Sequence, residues 1–387
     1  MAAQMSAQIR LPGRPKPLLI ADPGWARGYP PPVSRSAYAA AHVAARPDGE
    51  IDWEATLGFR DFLWDYGFGV AEAMDTAQRG MGLSWAQGRE LIARSAARAA
   101  GRAAAIACGV GTDQLPPGPH PLSAIIAAYE EQLELVQSAG AGVILMASRA
   151  LAASARSGQD YLDVYLYLLR QADRPVILHW LGTAFDPALA GYWGAADFEA
   201  AADLVVRLAE RADGKVGGVK LSVLDTGREA ALRRRLPPGV RLYTGDDFHY
   251  DELIRGDAGG DGGGPGPGGG RHSDALLGAF AAVTAPAAAA LHALDAGDLA
   301  GYDAAIGPTM PLSRTIFEAP TFRYKVGVAF LAWLNGLQPH FAMLGQLQRQ
   351  RAPGHLIRVF ELAAGAGALL EPGLAVERMS GYLAAAP

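Results

Sequence analysis

A lysine in the middle of an alternating apolar run is the strongest chemical signal in this chain. Lys220 lies in Val216-Gly217-Gly218-Val219-Lys220-Leu221-Ser222-Val223. With the period-two geometry of a strand, Val219, Leu221 and Val223 share one face, and Gly218, Lys220 and Ser222 share the other. Burial disfavours an ammonium, and a neutral amine is a nucleophile that can form a Schiff base with a carbonyl. The bland alternative is a strand-end lysine that snorkels to water or pairs with a carboxylate. His179, in a second such run, alternates with Ile177 and Leu181 against Val176, Leu178 and Trp180. An imidazole there could pass protons to a neighbouring imine, or could be a buried ring satisfied by backbone hydrogen bonds.

Other polar residues cluster just past short apolar runs. Glu72, Asp75, Thr76, Gln78 and Arg79 follow one, Thr112, Asp113 and Gln114 the next, and Ser148 and Arg149 the next. Ser222 and Asp225 close the Lys220 run, and Thr244-Gly245-Asp246-Asp247 followed by His249 closes another. Asp246 and Asp247 could cap the helix that follows or add carboxylates around Lys220. Glu72, Asp75, His179 and Asp246 form an alternative set that could hold a divalent metal, although no His-Glu-x-x-His or His-x-His spacing is present.

What must position these residues is a repeated βα pattern. Apolar runs at 36–43, 67–74, 104–110, 142–147, 175–181, 216–223, 240–244 and 275–280 alternate with helical patterns at 53–65, 85–100, 122–139, 161–171, 197–212 and 225–236. Ser84, Ser123 and Asp197 stand at helix starts. Eight strands with intervening helices predict a (β/α)8 TIM barrel at 34–285, whose active site gathers at the C-terminal strand ends. A proline-rich segment precedes it at 1–33, and a helical C-terminal extension follows at 286–387. The insertion at 256–270 has ten glycines in fifteen positions and is expected to be a loop between helix and strand, on the face away from catalysis.

Bulk properties exclude several classes. The 387 residues carry a net charge of -5 with both signs interspersed, so no basic stripe offers nucleic acid a footprint. Arg233-Arg234-Arg235 is read as the end of a helix, where cations suit the dipole. A single cysteine, Cys108, rules out an intramolecular disulfide. No Gly-x-Gly-x-x-Gly follows a strand in a dinucleotide-binding context. The N-terminal residues lack the apolar core of an export signal, and the alanine-rich stretch at 275–294 reads as a strand and a packed helix rather than a membrane span. These features predict a cytoplasmic protein with neither membrane nor nucleic acid as partner.

Ile51-Asp52-Trp53-Glu54-Ala55, Gly67-Phe68-Gly69-Val70, Ala107-Cys108-Gly109-Val110-Gly111-Thr112, Pro175-Val176-Ile177-Leu178-His179, Gly218-Val219-Lys220 and Thr244-Gly245-Asp246-Asp247 fall in one order. In this order, and in Tyr324-Lys325-Val326-Gly327 opening a later apolar helix, residues 34–337 resemble a divergent branch of the dihydrodipicolinate synthase and N-acetylneuraminate lyase superfamily. The resemblance implies a class I aldolase-type barrel in which Lys220 forms an imine with a 2-oxo acid and no cofactor takes part. It also implies a homo-oligomer.

The chain departs from that family at three places. His179 stands where the family has its acid/base tyrosine. Glu72-Ala73-Met74-Asp75 stands where a Thr-Thr or Ser-Thr pair binds the substrate carboxylate, and Ser148-Arg149 where the family has an aromatic residue. The expectation is a Schiff-base lyase or aldolase acting on a 2-oxo acid, keto-sugar or sugar acid, with Lys220 as nucleophile and His179 as acid/base. Substrate contacts are expected from Glu72, Asp75, Thr76, Arg79, Ser148, Arg149, Ser222, Asp246 and Asp247. A metal-dependent lyase or isomerase and a non-catalytic ligand-binding barrel are the alternatives.

Overall fold

The computed structural model describes residues 6–74, 79, 82–256 and 272–385. Its strands are β1 (Ser6–Ile9), β2 (Leu18–Ala21), β3 (Ala37–Ala40), β4 (Gly69–Glu72), β5 (Ile106–Val110), β6 (Gly142–Leu145), β7 (Val176–Leu181), β8 (Val216–Ser222), β9 (Arg241–Thr244) and β10 (Asp274–Leu277). The helices that alternate with them are α1 (Trp53–Asp65), α2 (Trp85–Arg102), α3 (Leu122–Ser138), α4 (Arg149–Ser154), α5 (Gly158–Gln171), α6 (Phe198–Arg211), α7 (Thr226–Arg235) and α8 (Tyr250–Arg255). After β10 come α9 (Thr284–Asp295), α10 (Leu299–Ile306), α11 (Thr309–Ile316), α12 (Lys325–Leu334), α13 (Pro353–Gly365) and α14 (Pro372–Ala385).

Local chemistry explains most helix starts. Ser84 and Gln87 cap α2 reciprocally, and Asp197 accepts from the Ala200 N–H at 3.0 Å to open α6. At α3 the cap position is Pro121, which has no side-chain acceptor, and Ser123 lies one residue inside the helix. The three arginines at 233–235 do fill the last turn of α7.

Strands β3 to β10 form a closed, all-parallel barrel in sequence order, because β10 pairs with both β9 and β3. The (β/α)8 TIM barrel is thus the fold, with a helical C-terminal part. The barrel strands and α2–α8 belong to one compact unit, Arg35–Ala40 with Gly69–Leu277. Inside the barrel, Ala40, Ala71, Ala107, Ile144, Ile177 and Leu276 pack with Tyr243, Met74 and Met146. The glycine-rich stretch lies outside the described residues from 257 to 271; α8 ends on one side of it and β10 begins on the other.

The second compact unit combines the N-terminal residues to Ser34, Ala41–Phe68 with α1, and Gly278 onward with α9–α14. Within the proline-rich segment, β1 and β2 pair antiparallel, Ser6 opposite Ala21. Trp25 Nε1 donates to the Gly367 carbonyl at 2.8 Å and Arg27 pairs with Glu371 at 2.7 Å, tying this segment to the C-terminal helices. Among the described residues no helix is long and apolar enough to cross a membrane.

Candidate active site

Period two on three adjacent strands brings His179, Lys220 and Tyr243 into line. His179 on β7 is the register partner of Lys220 on β8, which is in turn the partner of Tyr243 on β9. Partners in a parallel pair point to the same face, and Tyr243 belongs to the barrel interior. Lys220 and His179 are buried, at 8% and 2% exposure. Lys220 Nζ lies 4.0 Å from the Met74 thioether. His179 Nε2 is 3.4 Å from Ser222 Oγ, and its buried Nδ1 has no hydrogen-bond partner among the described residues. Burial, followed by the charge of Lys220, holds the His179 imidazole well below its ordinary pKa. The ring is therefore neutral near pH 7 and presents a proton acceptor beside a primary amine.

Glycines make room for this arrangement. A Cβ on Gly218 would lie 2.6 Å from the Tyr243 ring, so that ring crosses the start of β8 only because position 218 has no side chain. Gly245, just past β9, faces Lys220 and Ser222, and its N–H donates to the Leu221 carbonyl at 2.8 Å.

The other residues expected at the site fall into separate groups. Glu72 is fully buried, and its Oε1 accepts from the Ala73 N–H at 3.0 Å. Asp75 and Thr76 lie outside the described residues. Asp246 is buried and accepts from the Phe248 N–H at 2.9 Å, the His249 N–H at 3.2 Å and His249 Nδ1 at 3.1 Å. It thereby closes the turn that leads into α8. Asp247 is buried beside it.

Arg79, Ser148 and Arg149 line a cavity of about 380 Å³ beyond the C-terminal ends of β5 and β6. Arg79 directs its five donors at protein acceptors. It grips Asp113 with two bonds of 3.1 and 2.7 Å, donates to the Ala73 and Gly109 carbonyls at 2.7 and 2.9 Å, and reaches Gln132. Ser148 Oγ meets Thr112 Oγ1 at 2.6 Å and caps α4 through the Leu151 N–H. Arg149 is half-exposed, and its Nε donates to the buried Asp186 at 2.6 Å. Met146 lines the cavity and also joins the interior cluster that includes Met74.

Three features were not read from the sequence. Tyr129 and Tyr165 hydroxyls donate to the Met146 carbonyl, and the Tyr192 hydroxyl accepts from the Ser148 N–H at 3.0 Å, fixing the cavity floor. Asp186 answers Arg149 across 37 residues of chain. Glu229 on α7 is buried and accepts from Ser273 Oγ at 2.6 Å and Thr244 Oγ1 at 3.1 Å; burial pushes its carboxyl up to about 8. Spacing could have flagged only Tyr161 and Tyr165, which recur at helical period on α5.

Among the described residues, no group of three or more His, Cys, Asp or Glu side chains converges to hold a metal. Glu72, His179 and Asp246 therefore do not form a common ligand set, and Asp75 lies outside the described residues.

A family model described as a protein of unknown function, DUF993, matches residues 16–386. No curated protein matches the sequence. Among solved structures, the chain is similar to dihydrodipicolinate synthase from Aquifex aeolicus, with 15% identity over 87% of this chain and 99% of that one, at a TM-score of 0.63. A putative dihydrodipicolinate synthetase from Pseudomonas aeruginosa gives 18% identity over 85% and 99%, with a TM-score of 0.61. The chloride-inhibited dihydrodipicolinate synthase from Acinetobacter baumannii, solved in complex with pyruvate, gives 17% over 87% and 100%, at 0.61.

Proposed function

We propose, from the premise that the chain belongs to the DUF993 family and folds as a (β/α)8 barrel, that it is a Schiff-base-forming lyase of the aldolase type. The observation that carries this reading is the register pair His179–Lys220, a primary amine beside a neutral imidazole with an unpartnered Nδ1 inside the barrel. Buried polar atoms normally have partners, and a bound substrate oxygen would supply the missing one. The fold shared with dihydrodipicolinate synthases, one of them solved with pyruvate, supports the choice of a carbonyl substrate.

In the proposed step, His179 takes a proton from the Lys220 ammonium, the freed amine attacks the substrate carbonyl carbon while the C=O π pair moves to oxygen, and a proton passes from the new C–N nitrogen to that oxygen. The imidazolium then gives its proton to the departing hydroxyl. Water leaves and the protonated imine remains, an electron sink for cleavage of the neighbouring carbon–carbon or carbon–oxygen bond. Ser222 holds the imidazole at Nε2. Arg149, exposed at the cavity, is the cation assigned to an anionic substrate group, with Ser148 beside it; Asp246 and Asp247, buried after β9, are assigned to the substrate from the sequence reading alone. A 2-oxo acid, keto-sugar or sugar acid meets these requirements, and a homo-oligomer is the proposed assembly.

The test is to incubate the protein with pyruvate, other 2-oxo acids and keto-sugars, reduce with borohydride, and search peptides by mass spectrometry. The expected result is an adduct on Lys220 that Lys220→Arg abolishes. Absence of an adduct across the panel would overturn the imine reading.

A further inference from the structure

The opposite mouth of the barrel holds a second cavity that the proposed reaction does not use. It measures about 420 Å³ and is walled by the starts of β5 to β9. That volume falls in the range of small-molecule sites. Barrels of this type ordinarily fill their interior with layers of branched side chains. Here Ala104, Ala105, Gly140, Gly142 and Gly217, none of which projects more than a methyl group, share the wall with Ile106, Val143, Val176 and Ile177 and leave the space open.

The polar lining consists of Tyr38, Tyr243, Arg174 and Arg241. Arg241 pairs at 2.7 Å with Asp274, which also accepts from the Ser36 N–H at 2.6 Å. Arg174 is exposed and has no ion pair among the described residues. Among the described residues, the cavity lining carries two guanidiniums, of which Arg241 is paired with one carboxylate, Asp274. Burial raises Tyr38 and pushes Tyr243 up to about 12, so both hydroxyls stay protonated; that of Tyr243 donates to Ser36 Oγ at 3.3 Å.

His272 lies two residues before β10. Its pKa is lowered to about 4, first by burial, then by Arg35, with Arg233 and Arg241 adding to the effect against the opposing pull of Asp274.

We propose that this mouth is a binding site for a small molecule carrying a carboxylate or phosphate group, with Arg174 and Arg241 gripping the oxyanion and the Tyr38 hydroxyl donating to the remainder. Guanidinium forks match both oxyanions in geometry. Nothing in this site depends on Lys220 being a nucleophile.

Titration calorimetry with inorganic phosphate, succinate and citrate tests the site on the wild-type protein, Lys220→Arg and Arg174→Ala. Arg174 is exposed, so its removal is expected to leave the fold intact, which a thermal melt checks. The expected result is saturable binding of phosphate or of the carboxylates, unchanged in Lys220→Arg and weakened about tenfold or more in Arg174→Ala. Which probe binds identifies the oxyanion. Lack of saturable binding by all three probes, or binding lost in Lys220→Arg and unaltered in Arg174→Ala, would overturn the proposal.

Discussion

A Cβ on Gly245 would lie 2.8 Å from Lys220 Cε and 2.1 Å from Ser222 Oγ. The absence of a side chain just past β9 thus fixes where the amine and the imidazole-bearing hydroxyl can stand. In Gly245→Ala the methyl group must push one or both aside. Displacements of about 1 Å at a reacting group can cost on the order of 100-fold in rate, whereas overpacking costs about 1–3 kcal/mol of stability. The variant is expected to fold with a lowered melting temperature and to lose most of its rate of reductive trapping at Lys220. A wild-type trapping rate in a folded Gly245→Ala protein would contradict the placement.

Arg79 offers a second, distinct outcome. Its guanidinium is 2% exposed, grips Asp113 with two bonds and lies 5.0 Å from the Trp85 ring centroid. Asp113 itself is exposed, so replacing Arg79 chiefly strands the acceptors it serves inside, the Ala73 and Gly109 carbonyls and Gln132, at a cost of about 1–3 kcal/mol. Arg79→Leu should therefore lower stability by that amount in urea unfolding. Arg79→Lys should rescue little of it, because an ammonium cannot reproduce the fork. An Arg79→Leu protein of unchanged stability would show that these bonds contribute nothing to the fold.

These two residues illustrate what could be read from the sequence. The eight strands and their order followed from period-two runs and helix caps, since those signals are local and barrel closure adds only a connection between first and last strands. The pairing of His179 with Lys220 was also accessible, because strand neighbours in a barrel follow chain order. Arg79 was legible only as a cation after a strand. Its engagement depends on Asp113 and Gln132, 34 and 53 residues away, and no local pattern sets that geometry. Glu229 was hidden for the same reason: a carboxylate on a helix reads as solvated until tertiary packing buries it against Ser273 and Thr244. The paired strands β1 and β2 are too short for alternation to stand out among prolines.

Glu229 gives a stability prediction with a definite sign. Its folded pKa is raised from 4.5 to about 8, chiefly by burial. A group raised in the folded state contributes stability that is fully present below its unfolded pKa and is lost as pH rises through the folded value. Folding should therefore weaken between about pH 4.5 and 8 on account of this residue, by on the order of 2–3 kcal/mol at pH 7. Glu229→Gln keeps the shape without the ionisation. It should be the more stable protein at pH 7 in urea unfolding and should lose this part of the pH dependence. Parallel stability profiles for the two proteins between pH 4.5 and 8 would rule out the shifted carboxyl.

His179 carries the last prediction, because its pKa moves in the opposite direction for its charge type. The imidazole is held well below 6.5, by burial first and the Lys220 charge second. A depressed histidine contributes stability that is present above its unfolded pKa and is lost as pH falls toward the folded value, since only the unfolded chain takes up the proton. Its share of acid destabilisation therefore begins below about pH 6.5, with a slope approaching 1.4 kcal/mol per pH unit. For the reaction, the same depression means that the ring is already a base throughout the neutral range. The pH–rate profile of cyanoborohydride trapping at Lys220 should show no acid limb at about 6.5 that belongs to His179. His179→Asn should reduce the trapping rate by about 100-fold or more across that range, the usual size of a general acid/base contribution. It should also flatten the acid side of the stability curve. A limb centred near pH 6.5 in the wild type that vanishes in His179→Asn would mean that the ring titrates like an exposed histidine, which its burial beside Lys220 does not permit.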